Sequence, residues 1–170
     1  MSESIYFDYA KTRFGAFQLT ASERGLTAIR FPGQFTVKEK SNGKTPKSAR
    51  KALQAGNQFL KRYFSGKWEP GFRVPIDWQN LSIFEARVLK ALRKTPPSSV
   101  TNYSALAEKS GSPGGARAVG NALGRNPLPV LIPCHRVVRK DQSLGGFSGG
   151  LNWKRRLLKL EDGLGVKKNR

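Results

Sequence analysis

Residues 126–138 read NPLPVLIPCHRVV and place the only cysteine of the chain, Cys134, beside the only histidine, His135. Three prolines in this segment precede the pair and fix backbone angles, so we expect a stiff extended strand that leads to Cys134. A cysteine becomes a nucleophile as its thiolate, which a neighbouring imidazole and a positive local field make more accessible. The pattern therefore favours a reactive cysteine over a buried, inert one.

Adjacent side chains of an extended segment point to opposite sides, so Cys134 and His135 need a water bridge or a bend to interact. His135 also needs a partner that sets its tautomer. Three acidic residues lie downstream of it: Asp141, Glu161 and Asp162. Glu161 closes a predicted helix that begins at Asn152 and carries its apolar residues towards the core.

A helix-turn-helix is predicted upstream of this segment, with helices over Thr101–Lys109 and Gly114–Leu123 and a turn at residues 111–113. The second helix contains glycine at positions 114, 115 and 120, and each costs up to ~1 kcal/mol relative to alanine. Close approach of the helix backbone to another surface would explain these glycines. Tight packing between helices would explain them equally well.

The rest of the chain predicts an α+β protein with two domains. Its first half contains a predicted β-hairpin over residues 16–31, an amphipathic helix over Lys47–Phe64, and a solvated loop between them. A short strand-like piece, Phe72–Val74, follows. The second half opens on a capping box at Ser82–Glu85 and is mainly helical.

We therefore predict a scaffold domain over residues 1–75, a functional domain over residues 81–163, and a basic tail over residues 164–170. The functional domain contains the helix-turn-helix and the Cys-His pair. The scaffold domain has no chemical signature of its own.

The charge balance points to a polyanionic partner. The chain has 31 Lys and Arg against 11 Asp and Glu, for a formal net charge of +20, which favours binding to a nucleic acid. No apolar run approaches the length of a membrane span and the N-terminus lacks signal-peptide features, so we expect an intracellular protein of the cytoplasm or nucleus. A single cysteine excludes an intramolecular disulfide and disfavours a structural metal.

Several motifs resemble the O6-alkylguanine-DNA alkyltransferase family. They are Pro133–Val137, Asn126-Pro127, Arg117–Gly120, Ser148–Gly150 and Leu157-Leu158-x-x-Glu161. The match runs from about Leu81 to Gly163, while residues 1–75 match only in layout. Phe147 departs from the pattern, because many members carry tyrosine there.

The resemblance implies a ribonuclease H-like scaffold domain and direct-reversal DNA repair. The nucleotide is flipped through the minor groove, and an alkyl group passes irreversibly from guanine O6 to a cysteine, so each molecule acts once. The implied partner is double-stranded DNA that contains an alkylated guanine, bound by a monomer. No cofactor and no metal is implied, and cooperative binding along DNA is left open.

The implied catalytic roles fall on five residues. Cys134 is the alkyl acceptor, and His135 takes the thiol proton through a water held with Glu161. Tyr103 rotates the nucleotide phosphate and donates to guanine N3. Asn126 is the hinge between the helix-turn-helix and the active-site segment.

The implied substrate and DNA contacts surround this centre. Ser148 reaches the substrate oxygen, and the backbone carbonyls of Cys134 and Val137 accept from the guanine amino group. Arg117 fills the gap that the flipped base leaves. Further pocket residues are Pro129, Gly145, Phe147 and Gly149. Further DNA contacts are Gly115, Ala116, Ala118, Gly120 and Arg136.

Two other classes of protein remain as rivals. A cysteine peptidase also pairs Cys with His, but peptidases place the pair far apart in sequence and have no need of so high a charge. A DNA-binding protein without catalysis, such as the alkyltransferase-like proteins, resembles this chain closely but replaces the reactive cysteine. The presence of Cys134 makes this the minor alternative.

Overall fold

The computed structural model describes residues 4–36, 44–68 and 72–162. The chain divides into two compact units, Met1–Asn80 and Leu81–Arg170. The predicted basic tail lies outside the described residues. Within the described ranges, no helix is long and apolar enough to cross a membrane.

The first unit is built on an antiparallel sheet of three strands in the order β1 (Tyr6–Thr12), β2 (Gly15–Ser22) and β3 (Gly25–Arg30). The predicted hairpin is β2 with β3 and is confirmed. The sequence did not indicate β1, because Tyr6, Phe7 and Tyr9 put apolar rings on both faces and hide the alternation typical of a strand.

Helix α1 (Lys47–Phe64) has the predicted bounds and packs against this sheet. Gly56 lies at the contact, where a Cβ atom would come within 2.7 Å of a methyl carbon of Leu26 and 3.2 Å of one of Leu19. Glycine thus lets the helix approach the sheet closely.

The strand-like piece predicted at Phe72–Val74 is not a strand. The chain pairs with the sheet two residues later, where Ile76 forms an isolated bridge to Leu26. Asp77 then accepts a hydrogen bond from the hydroxyl of Ser22 at 2.6 Å, so a buried polar contact fixes the end of this unit.

The second unit begins with α2 (Ile83–Leu92), whose N-terminus has the predicted capping box between Ser82 and Glu85. The helix-turn-helix consists of α3 (Tyr103–Lys109) and α4 (Ala116–Gly124). Helix α3 begins two residues later than predicted, because Asn102 accepts a hydrogen bond from the backbone N–H of Ala105 and acts as the N-cap.

The two residues before α3 form β4 (Thr101–Asn102), which pairs in parallel with β5 (Val137–Val138). A final helix, α5, spans Leu151–Asp162. Its buried side chains are Lys154, Leu157 and Glu161, so two charged residues lie on its inner face.

The predicted extended strand before Cys134 is wrong. The chain turns at Val130, a β-branched residue with a φ of 72°, and the N–H of Ile132 bonds the carbonyl of Leu128 at 2.8 Å. Residues Cys134–Arg136 then form a 3₁₀ turn. The prolines restrict the backbone as expected, but they shape a compact turn in place of a strand.

Candidate active site

Cys134 lies at the start of the 3₁₀ turn and is 5% exposed. The side-chain amide of Asn126 donates to its sulfur at 3.2 Å and to the carbonyl of Ile132 at 2.9 Å. The amide oxygen of Asn126 accepts from the N–H of Leu128 at 3.0 Å. Asn126 lies two residues after the end of α4, so one buried amide ties the helix-turn-helix to the turn that carries the thiol.

A cavity of about 170 Å³ opens onto the sulfur. It is larger than the ~150 Å³ cavity that admits benzene in another protein. Its lining residues are Tyr103, Gly120, Leu123, Gly124, Cys134, Gly146, Phe147 and Ser148. The structure thus brings together the predicted residues Cys134, Tyr103, Phe147 and Ser148 at one pocket.

Three predicted pocket residues do not line this cavity: Pro129, Gly145 and Gly149. Gly145 acts indirectly, because a Cβ atom there would lie 2.8 Å from the Tyr103 hydroxyl. Glycine at position 145 therefore leaves the space that the tyrosine hydroxyl occupies. Burial raises the pKa of Tyr103 above its ordinary value, so its phenol remains a hydrogen-bond donor at neutral pH.

His135 is fully buried, and its Nε2 atom lies 2.6 Å from Oε1 of Glu161. The contact is direct, and the transfer of the Cys134 thiol proton to His135 through a water stays a prediction. Of the three acidic candidates, Glu161 is the one bonded to the imidazole. The bond leaves Nδ1 as the ring nitrogen that is not bonded to Glu161.

Arg136 faces the same carboxylate from the other side. Its Nη2 donates to Oε1 of Glu161 at 2.8 Å and its Nε donates to Oε2 at 3.0 Å, while Nη1 donates to the backbone carbonyl of Thr95. The side chain is 6% exposed. The prediction that Arg136 contacts DNA is wrong, because its guanidinium is buried and engaged by Glu161 and Thr95.

The charges of this cluster follow from its contacts. Burial alone would raise the pKa of Glu161, but the hydrogen bonds of His135 and Arg136 and the positive charge of Arg136 lower it to about 2. Burial lowers the pKa of His135, against the opposing effect of Glu161. At neutral pH the carboxylate is therefore ionised and the imidazole is neutral, which is the state of a general base.

Burial raises the pKa of the Cys134 thiol, while the hydrogen bond from Asn126 and the charge of Lys154 act in the opposite direction. A buried thiol of this kind requires a base to become a nucleophile. The neutral imidazole of His135 is the base nearest in sequence, and it is held in place by Glu161.

Sequence reasoning missed Lys154, a fully buried cation on α5. Its Nζ donates to the carbonyls of Val137 at 2.6 Å, Gly146 at 3.3 Å and Leu144. Burial lowers the pKa of this amine to about 8. The lysine ties the loop that carries Phe147 and Ser148 to β5.

This contact also bears on Val137, whose carbonyl was predicted to accept from guanine. Lys154 occupies one of the two lone pairs of that oxygen, and a carbonyl has capacity for a second donor. The role of the Val137 carbonyl in binding guanine therefore stays a prediction.

Helix α4 presents Arg117 and Ala118 to solvent, while Gly115, Ala116 and Gly120 are half-buried. A Cβ atom at Gly120 would make ordinary contacts of 3.8 Å with the Tyr103 ring, and one at Gly124 would meet nothing within 4 Å. Packing inside the protein therefore does not require these two glycines. Gly114, with a φ of 78°, and Gly115, where a Cβ atom would lie 2.9 Å from the Ser112 carbonyl oxygen, are instead required by the local backbone, so the glycines do not decide between the two explanations.

Comparisons with known proteins agree with this picture. The family model described as 6-O-methylguanine DNA methyltransferase, ribonuclease-like domain, matches residues 5–78, and the model described as its DNA binding domain matches residues 83–163. The solved structure of Mycobacterium tuberculosis OGT in complex with DNA superposes with a TM-score of 0.78 at 31% identity, covering 94% of each chain.

Curated relatives carry the name methylated-DNA–protein-cysteine methyltransferase. The Methanosarcina barkeri protein is 34% identical over 93% of this chain and 98% of its own length. The Haemophilus influenzae protein is 31% identical over 93% of this chain and 87% of its own length. The Mycobacterium tuberculosis protein is 43% identical over 60% of this chain, and the match spans 61% of that protein's length. With both family models matched and relatives aligned along most of its length, the chain belongs to the 6-O-methylguanine DNA methyltransferase family.

Proposed function

We propose that this protein repairs DNA by transferring an alkyl group from O6 of guanine to the sulfur of Cys134. The observation that carries the proposal is a buried thiol that opens onto a base-sized cavity beside a His135–Glu161 pair. The names of its relatives and the ribonuclease-like and DNA-binding domain models support it.

The reaction balances with the residues at the site. His135 accepts the proton of the Cys134 thiol, directly or through a water, and Glu161 stabilises the resulting imidazolium. The thiolate attacks the alkyl carbon, a carbon–sulfur bond forms, and the bond from that carbon to guanine O6 breaks with its electron pair. The phenol of Tyr103 donates a proton to N3 of the departing guanine, and the proton that His135 took from the thiol returns to the phenolate through water, so guanine leaves neutral and the charge balances. The thioether product is stable, so each monomer reacts once.

The reaction requires the guanine to leave the helix, because a thiolate cannot approach O6 of a stacked base in line. Helix α4 supports a minor-groove approach, since its exposed face combines small residues with Arg117. Arg117 would then occupy the space of the extruded base. Ser148 and the carbonyls of Cys134 and Val137 would contact the guanine in the pocket.

Intact-mass spectrometry tests the proposal. Incubation with a duplex that contains one O6-methylguanine is expected to add one methyl mass per protein molecule, located on the peptide that contains Cys134. An unmodified duplex and the Cys134→Ser variant are the controls and should show no added mass. Repeated turnover by one molecule, or DNA binding without any mass change, would contradict the mechanism, and the second result would favour a non-catalytic binder.

Binding to DNA is expected to depend strongly on salt. If four to six phosphates are neutralised around the helix-turn-helix, log affinity should fall with log salt at a slope of about −4 to −5. Fluorescence anisotropy with a labelled duplex measures the slope. Phosphate contacts are independent of sequence, so an unmodified duplex should give the same slope. A slope near zero would place the positive charge away from the DNA.

A further inference from the structure

Glu161 lies in the last described turn of α5 (Leu151–Asp162). Its carboxylate makes a 2.6 Å contact with His135. A group from outside the helix that bonds the backbone of this turn helps to hold the carboxylate in place.

Ser98 provides that group from the loop between α2 and β4. Its hydroxyl donates to the backbone carbonyl of Glu161, and its backbone N–H lies 3.4 Å from Oε2 of the same residue. In the same loop, the backbone carbonyl of Thr95 accepts a hydrogen bond from Arg136. Residues of one short loop thus bond both the carboxylate and the guanidinium that neutralises it.

The backbone of Ser98 adopts a φ of 59°. Glycine occupies this left-handed region readily, whereas other residues are uncommon there. Local conformation alone therefore favours glycine at position 98. The serine side chain contributes the one thing that glycine lacks, the hydroxyl that bonds the carbonyl of Glu161.

We propose that Ser98 is a positioning residue for alkyl transfer, which bonds the backbone of α5 at Glu161 and so holds the Glu161 carboxylate against His135. The inference rests on the proposed function and adds an outer contact to its proton relay. Ser98 is not among the residues that line the cavity, and its hydrogen bonds go to Glu161.

The substitution Ser98→Gly distinguishes a positioning role from a structural one, because it should slow the reaction without a matching loss of stability. Glycine relieves the backbone, which offsets the stability lost with the hydroxyl's hydrogen bond, so the thermal midpoint should stay close to that of the natural protein. Loss of one hydrogen bond should nevertheless slow the reaction by about two- to tenfold, measured with free O6-benzylguanine, an O6-alkylated base that can enter the pocket without being flipped out of DNA. Ser98→Ala should be as slow as the glycine variant but less stable.

The pH profile gives a second readout that a purely structural role would not move. Glu161 raises the pKa of His135 against the effect of burial, so a less well-held carboxylate should shift the acid limb of the rate to lower pH and reduce the plateau. Ser99→Ala is the matched control. It removes a neighbouring hydroxyl that bonds the carbonyl of Pro96 at 2.7 Å and should leave both rate and profile unchanged.

A Ser98→Gly protein that reacts at the natural rate with an unchanged pH profile would overturn the inference, whatever the alanine variant does. Failure of the proposed function would look different. In that case the natural protein itself would acquire no alkyl group from O6-benzylguanine or from methylated DNA.

Discussion

Arg117→Ala is expected to slow the repair of duplex DNA by about ten- to a thousandfold, because unstacking a base costs a few kcal/mol and each ~1.4 kcal/mol is a factor of ten. Arg117 is exposed on α4 and does not line the cavity beside Cys134. Its guanidinium can fill the space of the extruded guanine and bond the orphaned cytosine. The substitution therefore affects only substrates that must be flipped.

The measurement is a pair of second-order rate constants, one with methylated duplex and one with free O6-benzylguanine. The free base should react within about twofold of the natural rate, since it needs no extrusion. Arg125→Ala is a suitable control from the end of α4, where the side chain pairs with Glu85 at 2.7 Å. An equal loss of rate with both substrates would instead mean that Arg117 supports the fold or the electrostatic field at the Cys134 thiol.

Glu161→Gln should slow alkyl transfer by about a hundred- to ten-thousandfold with both substrates, the range of general acid–base catalysis. The amide keeps the shape of the side chain but removes the charge that stabilises a protonated His135. It also leaves the buried guanidinium of Arg136 without its counter-charge, so unfolding should become easier by about 3–5 kcal/mol.

Two measurements check this second prediction. Because the folded-state pKa of Glu161 is lowered to about 2, its ionised form stabilises the fold above the unfolded pKa of about 4.3. The stability difference between the natural protein and the variant should therefore shrink as pH falls from about 4.3 through 2. Adding Arg136→Met should recover stability without recovering the rate. Equal rates for the natural protein and Glu161→Gln would remove Glu161 from the relay.

Much of the second unit could be predicted from local signals. Ser82 and Glu85 have the spacing of a capping box, and the helices α3 and α4 follow from their apolar residues and the intervening glycine. The sequence leaves three acidic candidates downstream of His135, and the family resemblance is what points to Glu161. The capping box and the helices depend on short-range sequence patterns, which is why they could be predicted.

The errors arose where burial decides the outcome. Arg136 and Lys154 carry charges that normally face solvent, and in the structure both are buried by partners distant in sequence. One signal was available. Lys154, Leu157 and Glu161 are three and four residues apart, which places two charges on the same helix face as a core leucine.

The turn before Cys134 could not be predicted from its prolines alone. Proline restricts φ, but it does not decide whether successive restricted residues continue as a strand or close into a turn. In the structure, Asn126 decides this by bonding both the carbonyl of Ile132 and the sulfur. A contact of this kind depends on three-dimensional proximity.

The hydrogen bond from Asn126 to the Cys134 sulfur should differ between the unreacted and the alkylated protein. Before reaction, the sulfur accepts the amide at 3.2 Å and so joins the end of α4 to the active-site turn. An alkyl group on the sulfur must take up space beside that amide and leaves a weaker acceptor. A reacted molecule should therefore hold α4 less firmly to the active-site turn than an unreacted one.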